Sequence, residues 1–278
     1  MSERSALSAV PLYRHVDRVA RGLAAQGIGP DEAIPPEALF GLDQWHYHGI
    51  DAIRAAARFL GLGPGSRVLD VGSGVGGPAR YLAHATGCQV MAVELQRDLH
   101  DVAVDLTRRC GLAERVEHVC GDALAVALPA RAFDAAIGFL AILHVPDRPR
   151  LLRRLHGALK TGGGLYIEDL AGRAPFGPHD RHALREVVQG VTVTTREAYA
   201  DYLLAVGFVD VVATDLTPDW SDFAARRRTA WQADRAAIEA REGEAAWRAQ
   251  DELFTVIDRL YRGGSLAGVR LTGRAGTG

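Results

Sequence analysis

The feature that constrains the fold most is an apolar run that ends in an acidic residue and a glycine-rich turn. Residues 68–71 read Val-Leu-Asp-Val, and glycines follow at 72, 74 and 76, before a helix-compatible segment that begins at Ala79. Glycine lets the backbone turn sharply and approach a ligand where any Cβ would clash. The spacing differs from the dinucleotide-binding pattern G-x-G-x-x-G, because the third glycine comes one residue early. We therefore predict a nucleotide-type cofactor turn of a different kind.

Short β-type runs alternate with helical segments on both sides of this turn. Such alternation implies βαβ units and a parallel sheet, and right-handed crossovers then place helices on both faces of the sheet. The pattern predicts strands at 67–71, 89–93, 116–119, 133–139, 164–167, 208–214 and 266–272, and helical segments at 8–28, 77–86, 97–110, 147–159, 195–206 and 222–262. We interpret residues 160–164, Lys-Thr-Gly-Gly-Gly, as a helix stop followed by a turn into the fifth strand.

Three acidic residues follow or end the first three predicted strands. In an open α/β sheet, ligands bind at the carboxyl ends of the strands. Glu94 comes some 20 residues after the glycine turn, where a carboxylate can accept hydrogen bonds from both ribose hydroxyls, and Asp122 can accept from an exocyclic adenine amine. Each of the three acids, Asp70, Glu94 and Asp122, also has a simpler interpretation. Asp70 could interact with a helix N-terminus, Glu94 could be a surface charge, and Asp122 could cap a helix. Together, and in this order, they favour a cofactor site.

The pattern apolar-Asp-x-Gly-x-Gly-x-Gly resembles motif I of the class I S-adenosylmethionine-dependent methyltransferases. Residues 138–145, Gly-Phe-Leu-Ala-Ile-Leu-His-Val, resemble a narrower branch, the phosphoethanolamine and sarcosine/dimethylglycine N-methyltransferases, as do residues 76–82 and 194–208. The resemblance covers roughly residues 42–272. It implies an α/β, Rossmann-like, seven-stranded and mostly parallel sheet with helices on both faces and an antiparallel last strand. It further implies an N-terminal helical lid at 1–62 and a methyltransferase domain at 63–278 with a helical insertion at about 219–262.

The cofactor implied by this resemblance is S-adenosylmethionine, with S-adenosylhomocysteine as the product. We expect the cofactor to be bound by residues at the strand ends and in the lid, which closes over it and excludes water. These residues are Asp70, Gly72, Ser73, Gly74, Glu94, Leu95, Asp122, Ala123, Phe139, Gln44, Trp45 and His46.

His144 is the candidate catalytic base. It follows the fourth strand, its reference pKa lies near neutrality, and it matches the catalytic histidine of the resembled branch. A hydrogen-bonded core histidine is the alternative. We expect an acceptor pocket formed by Leu140, Tyr13, Tyr47, Glu168, Tyr199, Trp220 and Tyr261. For Glu168 a capping role, and for the aromatic residues a plain core role, are the alternatives.

Leu140 departs from the pattern of the resembled branch. Those enzymes carry an Asp just before the Ala-Ile-Leu-His run, where a carboxylate can help hold a substrate ammonium. Burying a cationic head without a counter-charge is costly, so Leu140 points to a less charged acceptor or a rewired pocket. We predict methyl transfer to a small molecule, with nitrogen slightly favoured as the acceptor atom. An O-methyltransferase of bacterial secondary metabolism, or a silent adenosylmethionine-binding protein, is the alternative.

Bulk properties exclude several other classes. The net charge of −2 argues against nucleic-acid binding, and we interpret the basic pieces 148–154 and 226–228 as solvated helix faces. Apolar runs are too short to span a membrane, and a signal-peptide core is lacking, so we expect a cytoplasmic protein without membrane partners, monomeric or homodimeric. Three cysteines without C-x-x-C spacing indicate reduced thiols. His46 and His48 have no obvious third ligand, so we expect no metal.

Overall fold

The computed structural model of the protein describes residues 17–173 and 176–277. These residues form one seven-stranded sheet with the strand order β3-β2-β1-β4-β5-β7-β6. All neighbouring strands run parallel except β7, which is antiparallel to both β5 and β6. The predicted fold class is thereby confirmed. The strands are β1 Arg67–Val71, β2 Gln89–Glu94, β3 Val116–Cys120, β4 Phe133–Phe139, β5 Leu159–Gly172, β6 Phe208–Asp215 and β7 Leu266–Ala275.

The helices lie between the strands, as the alternating pattern predicts. Of the predicted segment 8–28, the structure describes a helix over 18–25, and residues 8–16 lie outside the described part. The segment predicted as one long helical region at 222–262 is three helices, broken at Asp234 and Gly243. The helices are α1 Arg18–Ala25, α2 Ile50–Leu60, α3 Gly77–Thr86, α4 Arg97–Arg109, α5 Arg148–Ala158, α6 Pro178–Ala183, α7 Arg196–Ala205, α8 Thr217–Ala233, α9 Arg235–Glu242 and α10 Glu244–Arg262.

Two sequence interpretations need correction. Residues 160–164 lie within the bounds of β5 rather than before it, but only Gly164 of them is paired with β4; Leu159 pairs with Phe133 and Gly164 with Ala135, so the four residues between form an irregularity of the strand. Arg148 is not on a solvated face. Its side chain is 1% exposed, and its guanidinium lies 3.9 Å from the centre of the Tyr199 ring.

The core consists of two layers because alternate residues of a strand face opposite sides of a sheet. Leu69 and Val71 pack with α5 and α7 on one side, whereas Val68 and Ile137 pack with α2 and α3 on the other. A third cluster joins α8 and α10 to Tyr47 and to the carboxyl end of β5. The helices between β6 and β7 are thereby packed beside the carboxyl ends of the central strands. Among the described residues, no helix is long and apolar enough to cross a membrane.

Candidate active site

A cleft opens at the carboxyl ends of β1, β2 and β4, where the strand order changes direction between β1 and β4. This is the position at which open α/β sheets bind ligands. The cleft has a volume of about 240 Å³. It brings together most of the predicted site residues: Gly72, Ser73, Gly74, Glu94, Leu95, Asp122, Ala123, Phe139, Trp45, His46, Leu140, Tyr47 and His144.

The glycine turn connects β1 to α3 with a backbone that other residues rarely adopt. Gly72, Gly74 and Gly76 have φ values of +71°, +56° and +80°. A Cβ on Gly72 would lie 2.4 Å from the Cβ of Ala141, whereas a Cβ on Gly74 would meet no atom within 4 Å. Gly74 therefore has open space around it where it lines the cleft, and a ligand can approach its backbone closely.

Glu94 links the end of β2 to this turn. Its Oε2 accepts a hydrogen bond from the Gly74 N–H at 2.8 Å, and its Oε1 accepts one from the Gln96 N–H at 2.8 Å. Burial raises the pKa of the Glu94 carboxyl, and the two N–H groups partly oppose that rise. The side chain is held rigidly where it lines the cleft, with lone pairs left for further donors.

Asp70 lies behind the cleft wall rather than in it. The residue is 1% exposed, and its Oδ2 has no hydrogen-bond partner among the described residues. Burial, together with the nearby charge of Glu94, raises the pKa of Asp70 to about 7. Two polar atoms of residues that line the cleft, Ser73 Oγ and Gln96 Oε1, are likewise buried without a partner. Such atoms fit a polar ligand that has its own donors and acceptors, such as the amino-acid and ribose parts of a nucleoside cofactor.

Asp122 lies at the end of β3 and lines the cleft. Its Oδ1 accepts a hydrogen bond from the Leu124 N–H at 2.8 Å, which is the capping arrangement that the sequence left open. Capping uses one oxygen of the carboxylate. The other oxygen can still accept a hydrogen bond, so the geometry is compatible both with a capping role and with binding of an adenine amine.

The segment before α2 forms one wall of the cleft and is anchored by a buried ion pair. Asp43 Oδ2 accepts from Arg80 Nη2 at 2.8 Å, and both side chains are almost fully buried. Arg80 is further held by Thr107 Oγ1 at 3.2 Å. A Cβ on Gly77 would lie 2.4 Å from the Asp43 carbonyl oxygen, so glycine permits this close approach. Sequence reasoning missed Asp43, although it stands directly beside the predicted lid residues.

Three predicted lid residues have different surroundings. His46 stacks on Phe139 with ring centres 4.8 Å apart, and burial lowers the pKa of His46 to about 4. Trp45 Nε1 donates to the Leu42 carbonyl at 3.1 Å. Gln44 is not among the cleft-lining residues, and its Nε2 donates to Asp43 Oδ1 at 2.8 Å. His46 and Trp45 thus present ring surfaces to the cleft, whereas Gln44 supports Asp43.

His144 ends a short 3₁₀ turn, Ile142–His144, directly after β4. Its Nδ1 lies 2.9 Å from the carbonyl oxygen of Gln189. A carbonyl can only accept, so Nδ1 carries the hydrogen and the basic lone pair is on Nε2. Burial lowers the pKa of His144, which keeps the ring neutral near pH 7. The partner Gln189 has a φ of +57° and follows a π-helical turn, Leu184–Val188, a distortion that often occurs at functional sites.

The predicted acceptor residues separate into two groups. Leu140 and Tyr47 line the cleft, whereas Glu168, Tyr199, Trp220 and Tyr261 do not. Glu168 accepts from Tyr166 and Arg270, and Tyr199 donates to Asp169 at 3.1 Å. Trp220 lies against the far side of Tyr47, with ring centres 4.5 Å apart. Tyr261 is buried beside Tyr47 and Arg227. Tyr13 lies outside the described residues.

Arg227 lines the cleft and was missed, because the basic run 226–228 was interpreted as a solvated helix face. That interpretation was wrong for Arg227. Arg226 is exposed, Arg228 pairs with the buried Asp258 at 2.9 Å, and Arg227 points to the cleft. A helix turns about 100° per residue, so adjacent side chains face different surroundings. The spacing of Phe223 and Arg227, four residues apart on one face, was the available signal.

Among residues 17–173 and 176–277, no group of three or more His, Cys, Asp or Glu side chains could hold a metal ion. His48 instead pairs with Asp219, with Nε2 2.8 Å from Oδ2.

Part of the chain that forms this cleft is similar in sequence to known methyltransferases. Residues 69–167 match the family model described as a methyltransferase domain. The chain is 32% identical over 183 residues to a phosphoethanolamine N-methyltransferase of Triticum aestivum. The aligned region covers 65% of this chain and 35% of the relative. It is 37% identical over 114 residues to the methyltransferase GfsG of Streptomyces halstedii, covering 41% of each protein.

A similar fold is found in a solved structure, the phosphoethanolamine N-methyltransferase 2 of Haemonchus contortus in complex with phosphomonomethylethanolamine and S-adenosylhomocysteine. The TM-score is 0.84 at 21% identity, over 100% of this chain and 61% of that one. The chain spans about a third of the length of the plant phosphoethanolamine relatives it matches. Residues 69–167 thus match the methyltransferase-domain model, and the described chain is similar in fold to the solved N-methyltransferase.

Proposed function

For a chain whose residues 69–167 match a methyltransferase-domain model, we propose S-adenosylmethionine-dependent methyl transfer to a small-molecule acceptor, with S-adenosylhomocysteine as the product. The observation that carries this proposal is the meeting of the glycine turn, Glu94 and Asp122 at the carboxyl ends of three neighbouring strands. When bound, the cofactor supplies a methyl group that is already activated by a sulfonium.

The chain's own residues then have to bind, align and exclude water. Glu94 would accept from ribose hydroxyls and Asp122 from an adenine amine, and the open space at Gly74 would let the ligand approach its backbone. Methyl transfer is an in-line displacement, so a fixed alignment of nucleophile and methyl group supplies much of the rate. We propose residues 1–62 as the lid that covers the site, with Asp43–Arg80 anchoring it to α3.

His144 Nε2 takes the proton of the acceptor when the acceptor atom carries one. The Gln189 carbonyl fixes the tautomer, and the lowered pKa keeps Nε2 unprotonated at neutral pH. Nitrogen is slightly favoured as the acceptor atom, because the plant relatives are named as N-methyltransferases. Leu140, in place of a carboxylate, argues against a simple ammonium substrate. We also propose that the protein acts in the cytoplasm as a monomer or homodimer, with its three cysteines reduced.

Calorimetric titration with S-adenosylhomocysteine, with NAD as the control ligand, tests the cofactor. We expect micromolar or tighter binding of the first and no binding of NAD. Two glycine variants sharpen the test, because the Cβ of Gly74→Ala and that of Gly157→Ala would both enter open space. Only Gly74 has a positive φ and lines the cleft, so only its variant is expected to weaken binding.

Failure of the wild-type protein to bind S-adenosylhomocysteine would contradict the proposal. If binding occurs, incubation with a labelled methyl donor and a panel of amines and hydroxylated metabolites tests transfer itself. Binding without transfer to any of them would favour the silent cofactor-binding alternative.

A further inference from the structure

Arg227 occupies an aromatic box on the α8–α10 side of the cleft. Its guanidinium carbon lies 4.7 Å from the centre of the Tyr47 ring, 4.4 Å from that of Phe254 and 5.5 Å from that of Phe223. Aromatic faces attract a cation, and the three rings fix the position of the guanidinium. The charge is thus held in place on rigid elements, as a binding group must be.

No carboxylate of the described chain pairs with this cation. Arg228, its neighbour, forms an ion pair with Asp258, but Arg227 forms none among residues 17–173 and 176–277, and its Nε has no hydrogen-bond partner there. The hydroxyls of Tyr47 and Tyr261 are its polar neighbours. A guanidinium remains charged in proteins, and burying a charge without a counter-ion is costly. An anion that enters the cleft would satisfy it.

The acids that line the cleft are already engaged elsewhere. Glu94 is held by the glycine turn, Asp43 by Arg80, and Asp122 by the Leu124 N–H. On the α10 side, the cleft is lined by the apolar residues Leu253, Phe254 and Ile257, which belong to one cluster with Leu170 of β5. This part of the cleft therefore combines one cation with hydrocarbon surface and offers no carboxylate to an ammonium group.

We propose that Arg227 binds an oxyanion of the methyl acceptor, and that the acceptor joins this anion, a carboxylate or a group of like geometry, to an apolar body. This inference rests on the proposed function. A planar guanidinium can donate two parallel hydrogen bonds to a carboxylate, and Arg227 lines the cleft. The same chemistry exists in the carboxylate of the cofactor, so the test has to separate the two sources.

Octanoate and octanamide are matched probes for the anion and the apolar body. Each is titrated against the wild-type protein, alone and saturated with S-adenosylhomocysteine. The variants are Arg227→Gln, Arg227→Lys and Arg226→Gln, the last an exposed neighbour on the same helix. We expect the wild-type protein to bind octanoate about tenfold or more tightly than octanamide, because a charge-assisted pair is lost in the amide.

Arg227→Gln should remove this preference, Arg227→Lys should keep part of it, and Arg226→Gln should keep all of it. Equal binding of the two probes to the wild-type protein would overturn the proposal. So would an Arg227→Gln variant that loses affinity for S-adenosylhomocysteine but keeps the preference, since Arg227 would then hold the carboxylate of the cofactor. A preference for octanoate in protein that does not bind S-adenosylhomocysteine would contradict the proposed function alone.

Discussion

The carboxylate of Glu94 accepts a hydrogen bond at 2.8 Å from the backbone N–H of Gly74, twenty residues earlier in the chain. This bond joins the end of β2 to the turn that follows β1. It fixes the positions of the glycine turn and of Glu94, the candidate ribose-binding residue, relative to each other. A substitution at one of them should therefore alter the position of the other. The arrangement leads to the first prediction.

Replacing Glu94 by Ala should weaken binding of S-adenosylhomocysteine by about 1–3 kcal/mol, because the hydrogen bonds to the ligand and the support of the turn are both lost. Glu94→Gln should fall between wild type and Ala, since one amide oxygen can still accept. Glu117, exposed on neighbouring β3, provides the control variant Glu117→Gln. Calorimetry measures all three, and unchanged affinity in Glu94→Ala would contradict the assignment of this residue.

Asp43→Asn should destabilise the protein by about 3–5 kcal/mol, because Arg80 would be left buried without its counter-ion. The matched control is Asp51→Asn, which breaks the exposed pair between Asp51 and Arg54, 2.7 Å apart, and should cost below about 1 kcal/mol. Urea unfolding of the three proteins gives the comparison. Equal losses in the two variants would show that the buried pair does not anchor the lid segment.

Asp70 should make the folded state less stable as the pH rises. Its pKa is raised to about 7 in the folded protein, so between its unfolded pKa near 4 and pH 7 the folded state binds the extra proton, and stability falls with rising pH. Asp70→Asn removes this dependence. We expect the free energy of unfolding of the variant, relative to wild type, to increase by about 2–3 kcal/mol from pH 5 to pH 8. A constant difference across that range would show that Asp70 titrates normally.

His144→Ala should lower turnover about 10²-fold or more and leave the affinity for S-adenosylhomocysteine unchanged, as expected for a base that acts on the acceptor. His179→Ala, at an exposed position, is the control. In the wild-type protein, burial lowers the pKa of His144, so the acidic limb of the rate profile should lie below pH 6.5. An unchanged rate in His144→Ala would mean that alignment alone supports transfer.

Leu140→Asp should create affinity for a protonated amine such as phosphoethanolamine. Leu140 lines the cleft and has a φ of +50°, a conformation that Asp and Asn tolerate better than Leu. Leu140→Asn has the same backbone preference without the charge and is the matched control. Titration of phosphoethanolamine into each protein saturated with S-adenosylhomocysteine checks the prediction, and equal affinity for the two variants would argue against a charge effect at this position.

The parts of the site that sequence could predict are those fixed by local pattern and topology. Gly74, Glu94 and Asp122 each end or follow a strand, and a parallel sheet brings such positions to one edge whatever the rest of the chain does. Arg227 and Asp43 could not be found in this way. Their positions depend on how α8 and the segment before α2 pack against the sheet, which involves side chains distant in sequence. Glu168 and Tyr199 were predicted to line the acceptor pocket but do not. Their polar atoms instead form hydrogen bonds with Arg270 and Asp169, which lie on other parts of the fold.

The position of β7 between β5 and β6 also affects how a newly made chain can fold. Among the described strands, β6 forms its ladder with β7 alone, and about 60 residues separate the ends of these two strands. At a synthesis rate of about 5–20 residues per second, β6 emerges some 3–12 s before its neighbour exists. During that interval Val209 and Val212, exposed even in the finished sheet, lie on a strand with no pairing partner. Translation speed over this stretch, and chaperones that bind bare strands, should therefore influence how much active protein a cell obtains.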